Sequence, residues 1–300
     1  MNKYSEEIKI LDNYLRIDVY SESPINYVFE DNIWLNYRLA NAEIKKQPTK
    51  QKADLIWLKD IKEKNLLYNG ETLFLFGEWY TGEIQRLIVV LAAKELEKND
   101  IFPLHSTAFH YKNFNILLLS GEQNHGKTMT LIEALYRKAE MISGETTLVN
   151  YKGNILGGSR DLFLKTRPKG TERSDLPPDI GGWKKFFPNL PEIRMHSLSD
   201  RDAFDLVILP DIDGNFDTQV SKIEEFEKQL QIFVSITMSF FIPHHLISSG
   251  IPVPLVNDIK SQNKRADFAK NFSKNLDFYA IRGANPKIIM DEIENVIKGR

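Results

Sequence analysis

One eight-residue segment narrows what this chain can fold into more than any other. It is Gly121-Glu122-Gln123-Asn124-His125-Gly126-Lys127-Thr128, entered from the apolar run Ile116-Leu117-Leu118-Leu119. Glycines flanking a four-residue gap permit backbone geometry closed to residues with a Cβ, and let successive amide N–H groups converge on one point. Lysine and a hydroxyl residue follow, at what reads as the start of a helix whose positive end faces the same point. Such a turn attracts an anion rich in oxygen. The spacing Gly, four residues, Gly, Lys, Ser/Thr is that of a phosphate-binding P-loop, which requires a strand before it and a helix after it. The four apolar residues suit a strand buried on both faces. Leu131, Ile132, Ala134 and Leu135 give a packing face to a helix read over Met129 to Lys138. The alternative is an incidental glycine turn.

If the segment is a P-loop, each residue has a task. Lys127 is placed to reach the β- and γ-phosphates of a nucleoside triphosphate, and the Thr128 hydroxyl to ligate Mg²⁺. Gly121, Asn124, His125, Gly126 and Met129 complete the segment expected to wrap the nucleotide, so ATP and Mg²⁺ are the implied ligands. His125 has two readings: an exposed imidazole at a variable loop position, or a contact to phosphate or substrate.

The rest of the chain reads as α/β. Residues 1–80 form a β-leaning region, with Ile8–Leu11, Leu15–Tyr20 and Leu73–Phe76 as short runs and Lys45–Lys52, which contains Pro48, as an exposed turn. Residues 81–300 form the nucleotide-binding part. Ile84, Leu87, Ile88, Leu91 and Leu96 predict a helix over Thr81–Glu97 with Thr81 as N-cap. Leu104–His110 reads as one short strand, followed by a turn at Lys112-Asn113. Strands are also expected at Ala139–Ser143, at Phe204–Leu209 and at Leu276–Ile281. Helices are expected over Ser221–Ser239, Asp258–Asn275 and Pro286–Lys298, with loops and short strands over 150–200. Asp211 and Asp213 follow a buried strand, a place from which P-loop proteins orient Mg²⁺ or water. As part of Pro210-Asp211-Ile212-Asp213-Gly214 they equally suit a polar turn. His244-His245 lack a third ligand and point to different helix faces, so they do not read as a metal site.

Composition excludes some classes. A formal net charge of −2 over 300 residues gives no strong pull towards DNA, RNA or anionic lipid. The absence of cysteine removes disulfides, zinc–thiolate sites and thiol nucleophiles, and fits a reducing cytoplasm. Acids near the amino terminus occupy the place of a signal peptide's apolar core, so export by that route is not expected. The most apolar stretch, near Ile236–Val256, is broken by His244, His245 and prolines, and no membrane span is expected.

Between about residues 81 and 167 the order of elements resembles the HPr kinase and phosphoenolpyruvate-carboxykinase-like group of P-loop proteins, in particular its small HPr-kinase-like members. Leu104-His105-Ser106-Thr107-Ala108 is similar to that family's short His-Ser/Gly-Ser-Ala strand. Gly157-Gly158-Ser159-Arg160-Asp161-Leu162-Phe163-Leu164-Lys165 resembles its glycine-bearing turn before a basic strand. The resemblance implies an α/β fold built on a P-loop-containing mixed sheet, with a smaller β-leaning N-terminal region. It implies phosphate contacts from Gly121, Gly126 and Lys127, metal ligation by Thr128, and His105 beside the transferred phosphoryl group. Where the family carries two adjacent aspartates as base and metal ligand, this chain has Gly144 and Glu145. Glu145 is left as metal partner or base, with Asp211 as a further metal ligand. Arg160, Lys165 and Arg167 are candidates to stabilise charge on a transferring phosphate, or form a solvated basic strand. The implied activity is an ATP-dependent kinase acting on a hydroxyl of a peptide, protein or small molecule; family acceptors include a carrier-protein serine and the C-terminal serine of a ribosomal peptide. The glycine at 144 favours an alternative, a nucleotide-binding regulatory module with weak or no phosphotransfer. The resemblance extends to homo-oligomer formation.

Overall fold

The computed structural model describes residues 1–25, 38–40, 42–120, 125–162, 189, 191–246 and 258–300, with side chains of 239–246 excepted. Among these residues the chain is mixed α/β, with three sheets and five helices. The first sheet has the order β3-β1-β2-β4-β6-β5, from β1 (Asn2–Ile10), β2 (Asn13–Ser21), β3 (Ala42–Lys45), β4 (Leu55–Leu58), β5 (Asn65–Tyr68) and β6 (Leu73–Phe76). Helix α1 (Thr81–Lys98) buries Ile84, Leu87, Ile88, Leu91 and Leu96 against it. The helix is one residue longer than the periodicity predicts, and its N-cap is Tyr80 rather than Thr81. Glu83 in the first turn accepts the Tyr80 N–H at 3.0 Å, which does the capping from inside the helix.

Residues 104–110 do not form one strand. β7 (Ile101–His105) and β8 (Thr107–Tyr111) enter different sheets, and between them Ser106 donates its N–H to the Glu145 carbonyl. β7 joins β11 (Thr146–Asn150) and β12 (Ile155–Gly158) in a three-stranded antiparallel sheet. Leu148 of β11 packs in the first core and Val149 in another, so this small sheet is the seam between them.

The remaining sheet has the order β10-β8-β9-β13-β15-β14. Its members are β8, β9 (Phe114–Leu118), β10 (Glu140–Ser143), β13 (Leu206–Ile212), β14 (Gln219–Lys222) and β15 (Asp277–Gly283). Lys112 and Asn113, at φ 50° and 65°, join β8 to β9 as the two-residue turn that suits a twisted hairpin. Side chains of β9 alternate as expected for a strand covered twice. Ile116 and Leu118 face α2 (Lys127–Tyr136) and α5 (Pro286–Lys298), while Leu117 and Leu119 face α3 (Glu225–Leu246) and α4 (Ile259–Ser273). Each such fully buried aliphatic side chain contributes about 2 kcal/mol.

Several element boundaries differ from expectation. α2 starts at Lys127, where the P-loop spacing places the helix start, and ends at Tyr136, two residues before the expected Lys138. The expected Ser221–Ser239 helix gives up its first residues to β14 and runs on to Leu246. The expected strand Phe204–Leu209 continues through Pro210 to Ile212 as β13. Ile208 directs its carbonyl to the N–H of Leu119, just past β9, and Pro210 shares that side, beyond the last paired residue of β9, where no ladder acceptor awaits an N–H. Among the described residues no helix is long and apolar enough to cross a membrane.

Candidate functional site

β9, β13 and β15 run parallel; β8 opposes β9, and β10 opposes β8, so β10 runs with β9. The carboxyl ends of β10, β9, β13 and β15 therefore share one edge, the usual place for ligands in open α/β sheets. On that edge lie Glu145 after β10, His105 and Ser106 before β8, Ser120 and residues 125–128 after β9, Asp211 near the end of β13, and Arg282 near the end of β15.

Gly121 and Asn124 fall outside the described residues, and the second half of the segment carries the geometry. Gly126 sits at φ +107°, where a Cβ would lie 2.6 Å from Ile212 Cδ1, so both conformation and space demand glycine. Ile212 of β13 donates its N–H to the His125 carbonyl at 3.2 Å, and Thr130 donates to the Gly126 carbonyl at 2.8 Å to open α2. The loop's end is thus pinned to the neighbouring parallel strand. Lys127 is buried, and its Nζ donates to Ser120 Oγ at 2.6 Å. Thr128 is half-buried. The Met129 side chain is in the core, so only its amide faces the helix start.

Two clusters flank this loop. On the β13 side, His125 Nδ1 lies 3.2 Å from Asp211 Oδ1, and an Arg282 nitrogen lies 3.3 Å from Asp211 Oδ2. His125 is therefore not simply an exposed loop imidazole. Asp211 belongs to a strand, whereas Asp213 caps the turn beyond it by accepting the Asn215 N–H at 3.0 Å. The two aspartates, equivalent in the sequence, separate into an edge carboxylate and a turn residue.

On the β10 side, Glu145 Oε1 lies 3.0 Å from an Arg38 nitrogen and 3.7 Å from His105 Nδ1, the latter beyond hydrogen-bond length. Ser159 Oγ accepts the N–H groups of Glu145 at 2.8 Å and Thr146 at 3.0 Å, holding the turn that presents the carboxylate. Arg86 on α1 has its pKa lowered, first by burial and then by the charge of Arg38, so the arginine that pairs with Glu145 has a second guanidinium within electrostatic reach. At Gly144 an added Cβ would overlap the Asp161 carbonyl oxygen. No carboxylate fits there. Gly158 lies within β12 rather than in the expected turn, and its missing Cβ lets that strand approach Ile142 and Ser143 of β10.

Arg160 is exposed, one residue beyond Ser159, while Lys165 and Arg167 lie outside the described residues, as do the side chains of His244 and His245. Among the described residues, no three His, Cys, Asp or Glu side chains gather in metal-ligand geometry. Arg38 and Arg282 belong to no motif, and Ser159 lies in the 157–165 segment without having been given a role there. Arg282 had one sequence signal, a lone charge closing the apolar run of β15; Arg38 had none, being paired across 107 positions.

No protein-family model matches the chain, and no curated protein is significantly similar to it in sequence.

Proposed function

We propose that the chain is a P-loop phosphotransferase of the HPr-kinase-like type, moving the γ-phosphoryl group of ATP to a hydroxyl of a peptide, protein or small molecule. The observation that carries this reading is the junction at Gly126. A glycine in left-handed geometry, tied through His125 to a buried parallel strand, delivers a lysine and a threonine to the first turn of a helix at the carboxyl edge of the sheet.

The residues present fit the nucleotide and its metal. A cradle closed to any Cβ, a buried ammonium group on a neutral hydroxyl, a half-buried threonine and a carboxylate on the adjacent strand are the donor set that a Mg²⁺-nucleotide needs. Mg²⁺·ATP brings the activated phosphoryl group and a divalent charge that offsets the phosphates. Lys127 offsets charge on the outer phosphates, with Thr128 and Asp211 as the metal-holding residues. β10 and β13 are three strand spacings apart, about 14 Å of sheet. Glu145 therefore serves the acceptor rather than sharing an ion with Asp211. The acceptor oxygen forms the new bond to the γ-phosphorus, the bond to the bridging oxygen breaks, ADP leaves, and the hydroxyl proton passes to Glu145. His105 and Arg38 orient that carboxylate.

The filled space at Gly144 favours a second reading, a nucleotide-binding regulatory module with weak or no transfer, because the site has one carboxylate where paired carboxylates would divide base and metal duties. ADP formation separates the two readings. A kinase releases ADP in an acceptor-dependent way and loses that activity in Glu145→Gln, while a regulatory module binds Mg²⁺·ATP with no acceptor-dependent turnover. Binding itself is read from a Mg²⁺-dependent rise in melting temperature with ATP.

A further inference from the structure

Asp211 and Arg282 stand directly opposite each other in the parallel pair β13–β15, so their side chains leave the same face of the sheet at the same edge. One Arg282 nitrogen lies 3.3 Å from Asp211 Oδ2, and the guanidinium sits 4.5 Å over the Phe216 ring. The side chain is 49% exposed. A guanidinium carries five N–H donors in a planar fork, more than one carboxylate can use. Ion pairs this exposed contribute little to stability, so the arginine can exchange the carboxylate for a more highly charged partner at small cost.

We propose that Arg282 reads the terminal phosphate of the bound nucleotide and so distinguishes a nucleoside triphosphate from a diphosphate. The proposal rests on the reading of residues 121–128 as a nucleotide site. Two strand spacings, about 10 Å, separate β15 from the strand that feeds the loop, within the sweep of an arginine side chain. On that reading the start of α2 holds the inner phosphates. Arg282 approaches along the sheet edge and meets the outermost group. Asp211 and Phe216 hold the guanidinium ready: the carboxylate by charge, the ring by a stacking face that keeps it from folding back along β15. Because His125 pairs with the other oxygen of the same carboxylate, the loop and Arg282 are joined through Asp211.

The test is calorimetric titration of Mg²⁺·ATP and Mg²⁺·ADP into the full chain and into Arg282→Ala, Arg282→Lys, Phe216→Leu and Lys127→Ala. Arg282→Ala is expected to weaken ATP binding about tenfold and to leave ADP binding within about twofold. The retained ADP affinity shows that the variant is folded. Arg282→Lys keeps the charge without the fork and falls between the two, and Phe216→Leu loses part of the preference for ATP. Equal weakening of both nucleotides by Arg282→Ala, or no change in either, overturns the proposal while leaving the nucleotide site intact. A full chain that binds neither nucleotide overturns both.

Discussion

The chain builds two six-stranded sheets of mixed direction, and they treat their carboxylates in opposite ways. In the first sheet Glu7 is fully buried, and its Oε2 accepts the N–H groups of Thr49 and Lys50 at 2.9 and 2.8 Å. Asp54 accepts the Arg16 N–H at 2.8 Å. In the other large sheet the edge carboxylates Asp211 and Glu145 meet long or rotatable side chains instead: His125 and Arg282, Arg38 and His105. Main-chain donors cannot leave, so the carboxylates they hold are part of the scaffold. Side-chain partners can be exchanged for a ligand, so the carboxylates they hold are available for work.

The comparison breaks if variants fail to sort by partner type. The largest effect is expected at Gly144→Ala, where the new Cβ overlaps the Asp161 carbonyl oxygen and the turn presenting Glu145 must shift. A loss of about 3 kcal/mol in denaturant unfolding is expected. Glu7→Ala comes next: it empties a fully buried position and removes the acceptor of two part-buried amides, and should cost about 2 kcal/mol while leaving ATP affinity unchanged. A fall in ATP affinity there would erase the distinction between scaffold and site.

A third variant sharpens the comparison at the contact between α1 and α4. Glu97 and Arg265 are both buried, with Nε 2.8 Å from Oε1. Burial pushes the Glu97 carboxyl up to about 7 against the opposing pull of Arg265. The folded state therefore keeps a proton that the unfolded chain loses near the ordinary 4.5, and the stability this group contributes falls as pH rises from there to about 7. Glu97→Gln should flatten that slope in unfolding curves taken across the window. The smallest effect on stability is expected at Asp211→Asn, below about 1 kcal/mol, because its partners are side chains at an open edge. The same substitution should remove most of the Mg²⁺ dependence of ATP binding.

Where periodicity and end signals agreed, the sequence was readable. Pro286 at the first helical position, with Asn285 accepting the Ile288 N–H at 3.1 Å, sets the start of α5 where it was expected, and Gly126 marks the start of α2. Misreadings arose where tertiary contacts override local pattern. No glycine or proline marks the switch of sheets at Ser106; the Glu145 carbonyl makes it. β14 is exposed along its whole length and so lacks the alternation that announces a strand. Pro210 looked like a stop, yet it faces the one side of β13 where β9 has already ended. For the site, loop spacing was legible because it is local. Arg38 and Arg282 were not, because a charge says nothing about a partner far along the chain.

The most direct test of the account removes the charge at Lys127. Differential scanning fluorimetry of the full chain with and without Mg²⁺·ATP should show a nucleotide-dependent rise in melting temperature, and Lys127→Ala should abolish it while the unliganded protein still unfolds cooperatively. An unchanged rise in that variant, or none in the parent chain, would contradict it.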